Sequence, residues 1–234
     1  MKSLLSIVLC VLAGSLLSAQ HIREQDKAYS TTIVREVNLY HPSNQFLFGQ
    51  RALLSQILIE ATENGSCKAY NPCQIEEELS VREFIGNRSY PDDSCGFEQY
   101  YSSQLYIIEI QEEFVFDKNR SEFKFIPKYI TLFIPAEINY KGIIQPVASW
   151  KYEDCEKVFR NDKRAFSQTP KAFGKSKINF CETFLLRSYT SEIVKIGTDA
   201  QYFDQTYTDP TQAFLMRKEE EYKIQEMVYK AFHP

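Results

Sequence analysis

Apolar and polar positions alternate most clearly in residues 101–135, and this stretch is the candidate centre of a sheet. One face of its first half is apolar and is formed by Tyr106, Ile108, Ile110, Phe114 and Phe116. Because these side chains recur at every second position, the pattern predicts a β-strand, and only Glu112 interrupts the row. The polar turn formers of residues 117–121 and a second aromatic run then predict a hairpin with a loop of about five residues.

A third strand is predicted by the alternation in residues 129–134, which Pro135 ends. Both faces of this strand are largely apolar, as is typical of a central strand that is covered on both sides. We therefore expect a central antiparallel sheet that consists of a hairpin and a third strand.

Helical spacing and capping signals flank this sheet. Residues 22–38 are predicted as a helix, because acidic residues stand in the first turn and Ile33, Val34 and Val37 share one helical face. Residues 44–63 give a second helical pattern, and a glycine follows it as a terminator. Capping boxes, which open helices, stand at residues 80–83 and 179–182.

The C-terminal segment has the clearest boundary signal. Asp209 stands as an N-cap before Pro210, and helical residues then continue to about Phe232. One face of this helix is formed by Ala213, Met216, Ile224, Met227 and Ala231. Its middle is charged, so two interpretations stay open: a helix held at both ends with a solvated centre, or a partner-binding helix exposed at the edge of the domain. Together the elements predict an α+β fold, with N-terminal helices and a long C-terminal helix packed on the sheet.

Domain organisation follows from the first residues and from the length. Residues 1–19 combine a basic start, an apolar run of about 14 residues and a small-residue cleavage site, which predicts a signal peptide. An uncleaved membrane anchor is the alternative, but a span needs roughly 20 apolar residues. Residues 20–234 are expected to form a single α+β domain that buries roughly 70% of its unfolded surface, with two smaller lobes as the alternative.

Charge and motif content argue against several function classes. The net charge of −4 does not favour nucleic acid or an anionic bilayer as a partner. Three histidines and the absence of a CxxC motif do not favour a metal site. Residues 174–176 have the end of a phosphate-binding loop without its first glycine, and neither GxSxG nor GxGxxG occurs. We therefore expect no catalytic residues, no cofactor and no metal.

Five of the six cysteines follow the predicted signal peptide, and an exported chain meets an oxidising compartment. Cys67, Cys73 and Cys95 lie in one polar, turn-rich region, which predicts at least one local disulfide there, with the pairing open. An odd count leaves at least one thiol free. Cys155 or Cys181 is expected to fill this role and to pack as a small apolar group.

Four stretches of the sequence carry a family resemblance. They are IREQD with VREVNL in residues 22–39, the helical block before CKAY at residues 67–70, EEFVFDKNRS at residues 112–121 and FLLRSYTSEIVK at residues 184–195. In this order, over nearly the whole chain, they resemble the GldN/PorN family of the Bacteroidota. The turn with Asp117 and Arg120 is the sharpest match, and both residues are interpreted as structural: a turn cap and a charge that can bridge to it.

The resemblance implies a non-enzymatic role in the type IX secretion and gliding motility machinery. Such proteins lie in the periplasm without a transmembrane span of their own. They bind an outer-membrane lipoprotein of the same machine, self-associate in a ring and contact the periplasmic part of an inner-membrane motor protein. The content of 15 Tyr and 17 Phe suits repeated interfaces, and it equally suits a core filled by large rings. The alternatives are a secreted binding or adhesion module and an exported enzyme with a carboxylate site.

Overall fold

A computed structural model describes residues 22–49, 51–92, 96–168 and 177–232, and the predicted signal peptide lies outside them. The strands are β1 (Lys27–Asn38), β2 (Tyr70–Asn71), β3 (Gln74–Glu78), β4 (Ser89–Pro91), β5 (Phe97–Gln99), β6 (Ile107–Asp117), β7 (Glu122–Ile134), β8 (Gln145–Lys151), β9 (Phe166–Gln168), β10 (Lys177–Asn179) and β11 (Glu192–Ile196). The helices are α1 (Gln45–Phe48), α2 (Leu54–Glu63), α3 (Val81–Asn87), α4 (Tyr152–Asn161), α5 (Phe180–Leu185), α6 (Phe203–Thr206) and α7 (Pro210–Phe232), with short 3₁₀ turns at Glu24–Asp26 and Ser102–Gln104.

The main sheet is antiparallel, has seven strands and follows the order β11-β1-β6-β7-β8-β2-β3. It confirms the predicted α+β class with a central antiparallel sheet and a long C-terminal helix. The predicted hairpin is β6 and β7. The predicted second and third strands, however, are one continuous strand, because the ladder passes Pro127 through a register shift that leaves Lys128 as an extra residue. A bulge is a place where a proline, which lacks the N–H, is tolerated inside a sheet.

The predicted helix at residues 22–38 is wrong, because this segment forms β1. Its β-branched residues pair with β6 along nearly the whole strand and with β11 on the other side. Ile33 and Val37 point to one face of the sheet and Val34 points to the other, and all three are buried. A strand buried on both faces produces the same spacing of apolar residues as a helical stripe, and this explains the wrong prediction.

The second predicted helix, residues 44–63, is present as two helices, α1 and α2. Asn44 fixes the first of them, because its buried side-chain Nδ2 donates to the carbonyl oxygens of Asn38 at 2.9 Å and Thr190 at 2.8 Å. After α2, Gly65 has a φ of 76°, a left-handed conformation that suits glycine at a helix end. Both predicted capping boxes, which open α3 and α5, are confirmed.

One face of the main sheet carries two apolar clusters. Packing against α2, α4 and α5 buries the larger cluster, which includes Val37, Ile108, Ile110, Ile130, Leu132, Trp150, Phe180 and Phe184. Packing against α7 buries the smaller cluster, which consists of Ile33, Phe114, Ile193 and Ile224, with Phe123 and Phe125 beside it. The apolar row predicted for β6 therefore supports both clusters, and Glu112 lies in the row between them.

Candidate functional site

A layer of buried charges separates the two apolar clusters. Glu112 is fully buried, and its carboxylate lies 3.4 Å from Nε of Arg35 and 3.5 Å from Nε of Arg187. The hydroxyl of Tyr189 donates to the same carboxylate at 3.2 Å. Burial raises the pKa of Glu112, and the two guanidinium groups oppose this effect. Since Arg35 is also almost completely buried, each charge depends on the others for compensation.

The fourth member of this charged layer comes from α7. Glu221 accepts two hydrogen bonds from the guanidinium of Arg35, at 3.0 and 3.1 Å, in a bidentate arrangement. One helical turn earlier, Arg217 forms ion pairs with Glu192 of β11 and with Asp204 of α6. Bidentate pairs between arginine and a carboxylate are among the stronger ionic contacts and fix orientation as well as distance. The contacts therefore hold α7 in a defined position on the sheet.

This attachment differs from the predicted helix with a solvated centre. Within the charged middle of α7, Arg217 and Glu221 face the protein and hold the helix, whereas Lys218 and Glu219 are exposed. The predicted apolar face is largely present, because Ala213 and Ile224 are buried. Met216, Met227 and Ala231 are half-buried.

The opposite side of α7 carries a row of large side chains in solvent. Leu215, Tyr222 and Tyr229 stand at every seventh position and are 60%, 66% and 63% exposed. Since seven residues make nearly two helical turns, the three lie along one line of the helix surface. We call this row the α7 stripe. The stripe was not predicted from the sequence, although its seven-residue spacing is a signal that could have revealed it.

The second face of the sheet forms a groove of about 790 Å³. Its floor includes Val34, Glu36, Glu109, Gln111 and Phe133, and its walls come from residues 72–75 and 198–205. Glu36 and Glu109 lie directly opposite each other on β1 and β6. The groove therefore brings two carboxyl groups together over one strand pair.

Glu109 is the most perturbed of these acids. Its carboxylate accepts a hydrogen bond from the hydroxyl of Tyr202 at 2.8 Å. Burial, together with the charge of Glu36, raises the pKa of Glu109 to about 7, against the lowering effects of Tyr202 and Lys195. Burial likewise raises the pKa of Glu36. A carboxyl group in this range can hold or release a proton near neutral pH.

The predicted signature turn lies at the far end of the hairpin. Asp117 is buried, and its Oδ1 accepts hydrogen bonds from the backbone N–H groups of Asn119 at 2.9 Å and Arg120 at 3.3 Å. The guanidinium Nε of Arg120 lies 4.0 Å from the other carboxylate oxygen. Ser121 has a φ of 52° before β7 begins. The geometry is that of a side-chain cap on a tight loop.

The three cysteines singled out from the sequence are not brought to one place that the structure describes. Cys67 is buried, Cys73 is exposed and lines the groove, and both carry free thiols. Cys95 lies outside the described residues. A disulfide within this set stays a prediction.

Arg35 and Arg187 were also missed as site residues. The available signal was a pair of charges at positions where the pattern called for apolar side chains, since Arg35 and Glu112 both interrupt buried strands. Opposite charges at such positions have to be paired when they are buried. The guanidinium of Arg187 additionally lies over the ring of Phe125, at 3.6 Å from its centroid.

Comparisons with known proteins assign the chain to a family. In the part of the chain that the structure describes, no helix is long and apolar enough to cross a membrane. No curated protein matches the sequence. The family model described as "Gliding motility associated protein GldN" matches residues 22–232. Because this match covers far more than half of the chain, the protein belongs to the GldN family of gliding motility associated proteins.

Proposed function

We propose that this protein is a non-enzymatic structural subunit of a periplasmic ring complex in the type IX secretion and gliding motility apparatus. In this role it binds an outer-membrane lipoprotein of the same machine and the periplasmic part of an inner-membrane motor protein, and it self-associates in the ring. The observation that carries the proposal is the family match over residues 22–232.

The α7 stripe supports an assembly role on physical grounds. Ion pairs in the middle of α7 fix one side of the helix, so the opposite side presents large side chains in a defined position. A surface that is ordered before binding loses less conformational entropy when a partner docks. Tyrosine is also enriched in the buried centres of protein interfaces. We therefore assign the stripe to a contact within the assembly.

The groove supplies an observation that favours a second function, carboxylate-based catalysis in an exported enzyme. Glu36 and Glu109 face each other there, and the pKa of Glu109 is about 7. The substitution Glu109→Gln separates the two functions, because glutamine keeps the acceptor for Tyr202 but cannot exchange a proton. A structural subunit with this substitution retains secretion and motility, whereas an enzyme that uses Glu109 loses its activity.

The assembly role is tested by gentle extraction of cell envelopes and affinity purification of the tagged protein. The expected result is recovery in a large complex with an outer-membrane lipoprotein and other secretion components, identified by mass spectrometry. Recovery as a monomer without any such component contradicts the proposal. Intact secretion and surface motility after deletion of the gene contradicts it as well.

The stripe is tested with the double substitution Leu215→Ser and Tyr222→Ser. Both side chains are mostly in solvent, so the purified variant is expected to unfold at the same temperature as the wild type. Its recovery in the complex is expected to fall strongly. The matched control is Phe97→Ser on β5, which removes an even more exposed ring from another part of the surface. Equal loss of assembly in both variants contradicts the assignment of the stripe.

A further inference from the structure

Two cysteines that are far apart in the sequence meet at one end of the main sheet. β2 and β8 pair in antiparallel orientation with Tyr70 opposite Ser149. In such a pair, the residues before one position lie beside the residues after its partner. Cys67 stands shortly before Tyr70, and Cys155 stands in α4, which begins directly after β8. The register therefore directs the chain before Tyr70 towards the start of α4, the helix that carries Cys155.

Two hydrogen bonds hold the backbone of Cys67 and the strand before Cys155 to the end of α2. The indole N–H of Trp150 in β8 donates to the hydroxyl of Thr62 in α2 at 2.8 Å. The backbone N–H of Cys67 donates to the carbonyl oxygen of Ala61 at 3.0 Å. The segment that carries Cys67 is thus tied to α2, and α2 is tied to the strand that leads into Cys155.

The two thiols are close enough for each to shift the pKa of the other. Both belong to the larger apolar cluster, where Cys67 is 4% exposed and Cys155 is completely buried. Cys73 is exposed in the groove, and the thiol of Cys181 contacts the carbonyl oxygen of Glu156 at 3.5 Å.

We propose that Cys67 and Cys155 form a disulfide bond in the exported protein. The oxidant is a disulfide, either of a small thiol or of a thiol–disulfide oxidoreductase. Its presence in the cell rests on the export that the proposed function requires. The bond joins segments about 90 residues apart and therefore closes a large loop. It would hold the end of α2 and the start of β2 to α4.

The exchange proceeds in two balanced steps. The thiolate of Cys67 attacks the oxidant's disulfide, forms a mixed disulfide and releases one thiolate of the oxidant. The sulfur of Cys155 then attacks the sulfur of Cys67, loses its proton and releases the second thiolate. The protein is oxidised by two electrons, and the oxidant's disulfide is reduced to two thiols. The contact with Cys155 lowers the pKa of Cys67, whereas burial raises the pKa of Cys155, so Cys67 is the attacking thiol.

Tryptic peptide mapping tests the pairing directly, because cleavage separates all five cysteines that follow the predicted signal peptide. They fall in the peptides 52–68, 69–82, 89–118, 152–157 and 178–187. The reduced, purified protein is equilibrated with oxidised glutathione, denatured with an alkylating reagent and digested. The expected product is peptide 52–68 linked to peptide 152–157, with a mass about 2 Da below the sum of the reduced peptides, and it disappears on reduction.

Recovery of both peptides in alkylated form overturns the proposal. A link from peptide 52–68 to peptide 69–82 or 89–118 also overturns it and supports the local disulfide predicted from the sequence. Cys155→Ala is expected to abolish the linked product, and Cys181→Ala, a buried control, is expected to retain it. Mapping of protein alkylated in intact cells adds the second readout. A link that forms with glutathione but is absent in cells supports the pairing and counts against export. Failure of the disulfide proposal can therefore be distinguished from failure of the proposed function.

Discussion

Glu109 should make the stability of this protein fall as the pH rises towards neutrality. The pKa of this carboxyl group is raised from 4.5 to about 7, with burial as the largest cause. Between these values the folded state holds more protons than the unfolded state, so the free energy of unfolding decreases with increasing pH. A difference of about 2.5 pKa units corresponds to about 3 kcal/mol. Stability linked to this group is greatest below pH 4.5 and is lost as the pH rises through about 7.

The substitution Glu109→Gln removes this titration and keeps an oxygen that can accept the hydrogen bond from Tyr202. The free energy of unfolding of the variant, measured relative to that of the wild type, should therefore increase by about 3 kcal/mol as the pH rises from 4.5 to 8. The measurement is urea unfolding at several pH values, with the free energy of unfolding extrapolated to zero denaturant. Wild type and variant curves that run parallel over this range would refute the reasoning.

Glu113 lies on the same strand and is a matched control, because its pKa is shifted in the opposite direction. Although burial opposes the shift, hydrogen bonds from Lys27, Ser30 and Lys128 lower the pKa of Glu113 to about 2. A depressed carboxyl pKa contributes stability above the unfolded value, and this contribution is lost only as the pH falls towards 2. Glu113→Gln should thus lower stability by about 1–2 kcal/mol, uniformly between pH 5 and 8. The two variants differ in the slope of their pH profiles, which a general loss of packing cannot imitate.

Two further predictions concern the attachment of α7 and the hairpin turn. Glu221→Gln should cost about 2 kcal/mol in urea unfolding and accelerate tryptic cleavage within α7, because it leaves the buried guanidinium of Arg35 with one fewer carboxylate. Glu219→Gln on the exposed side of the same helix should cost less than about 0.5 kcal/mol, and equal effects would contradict the role of the charged layer. Asp117→Ala should cost about 1 kcal/mol because two backbone N–H groups lose their acceptor. Asn119→Ala keeps its backbone donor, so an equal cost for both variants would argue against the cap.

The hairpin and the apolar face of β6 could be predicted from the sequence because both depend on neighbouring residues. Alternation and turn chemistry act over a few positions, and the chain follows them from Ile108 to Phe114. The interruption at Glu112 was visible in the sequence, but its buried ion pairs were not. Its partners Arg35 and Arg187 come from distant parts of the chain, and only the register of β1 against β6 brings Arg35 beside it.

The identity of β1 could not be derived from local pattern for a related reason. Its apolar residues face both sides of the sheet, so their spacing carries no strand signature. Pairing with β6 and β11, each far away in sequence, determines the outcome. The groove has the same origin, since Glu36 and Glu109 meet only after β1 and β6 have paired. Sequence pattern therefore indicated β6 and α7, but neither β1 nor the contacts that bring these elements together.

The order of the strands also restricts how copies of this protein can join. At one margin of the sheet, β3 carries three successive glutamates at residues 76–78. A second copy that added its own β3 there would align like charges along the new ladder, and such repulsion is a common protection against edge-to-edge association. At the other margin, Glu192 of β11 forms ion pairs with Arg217 and Lys218 of α7, so this helix lies beside the strand. Association of two copies through their β3 edges is thus disfavoured, so an assembly of this chain has to use other surfaces.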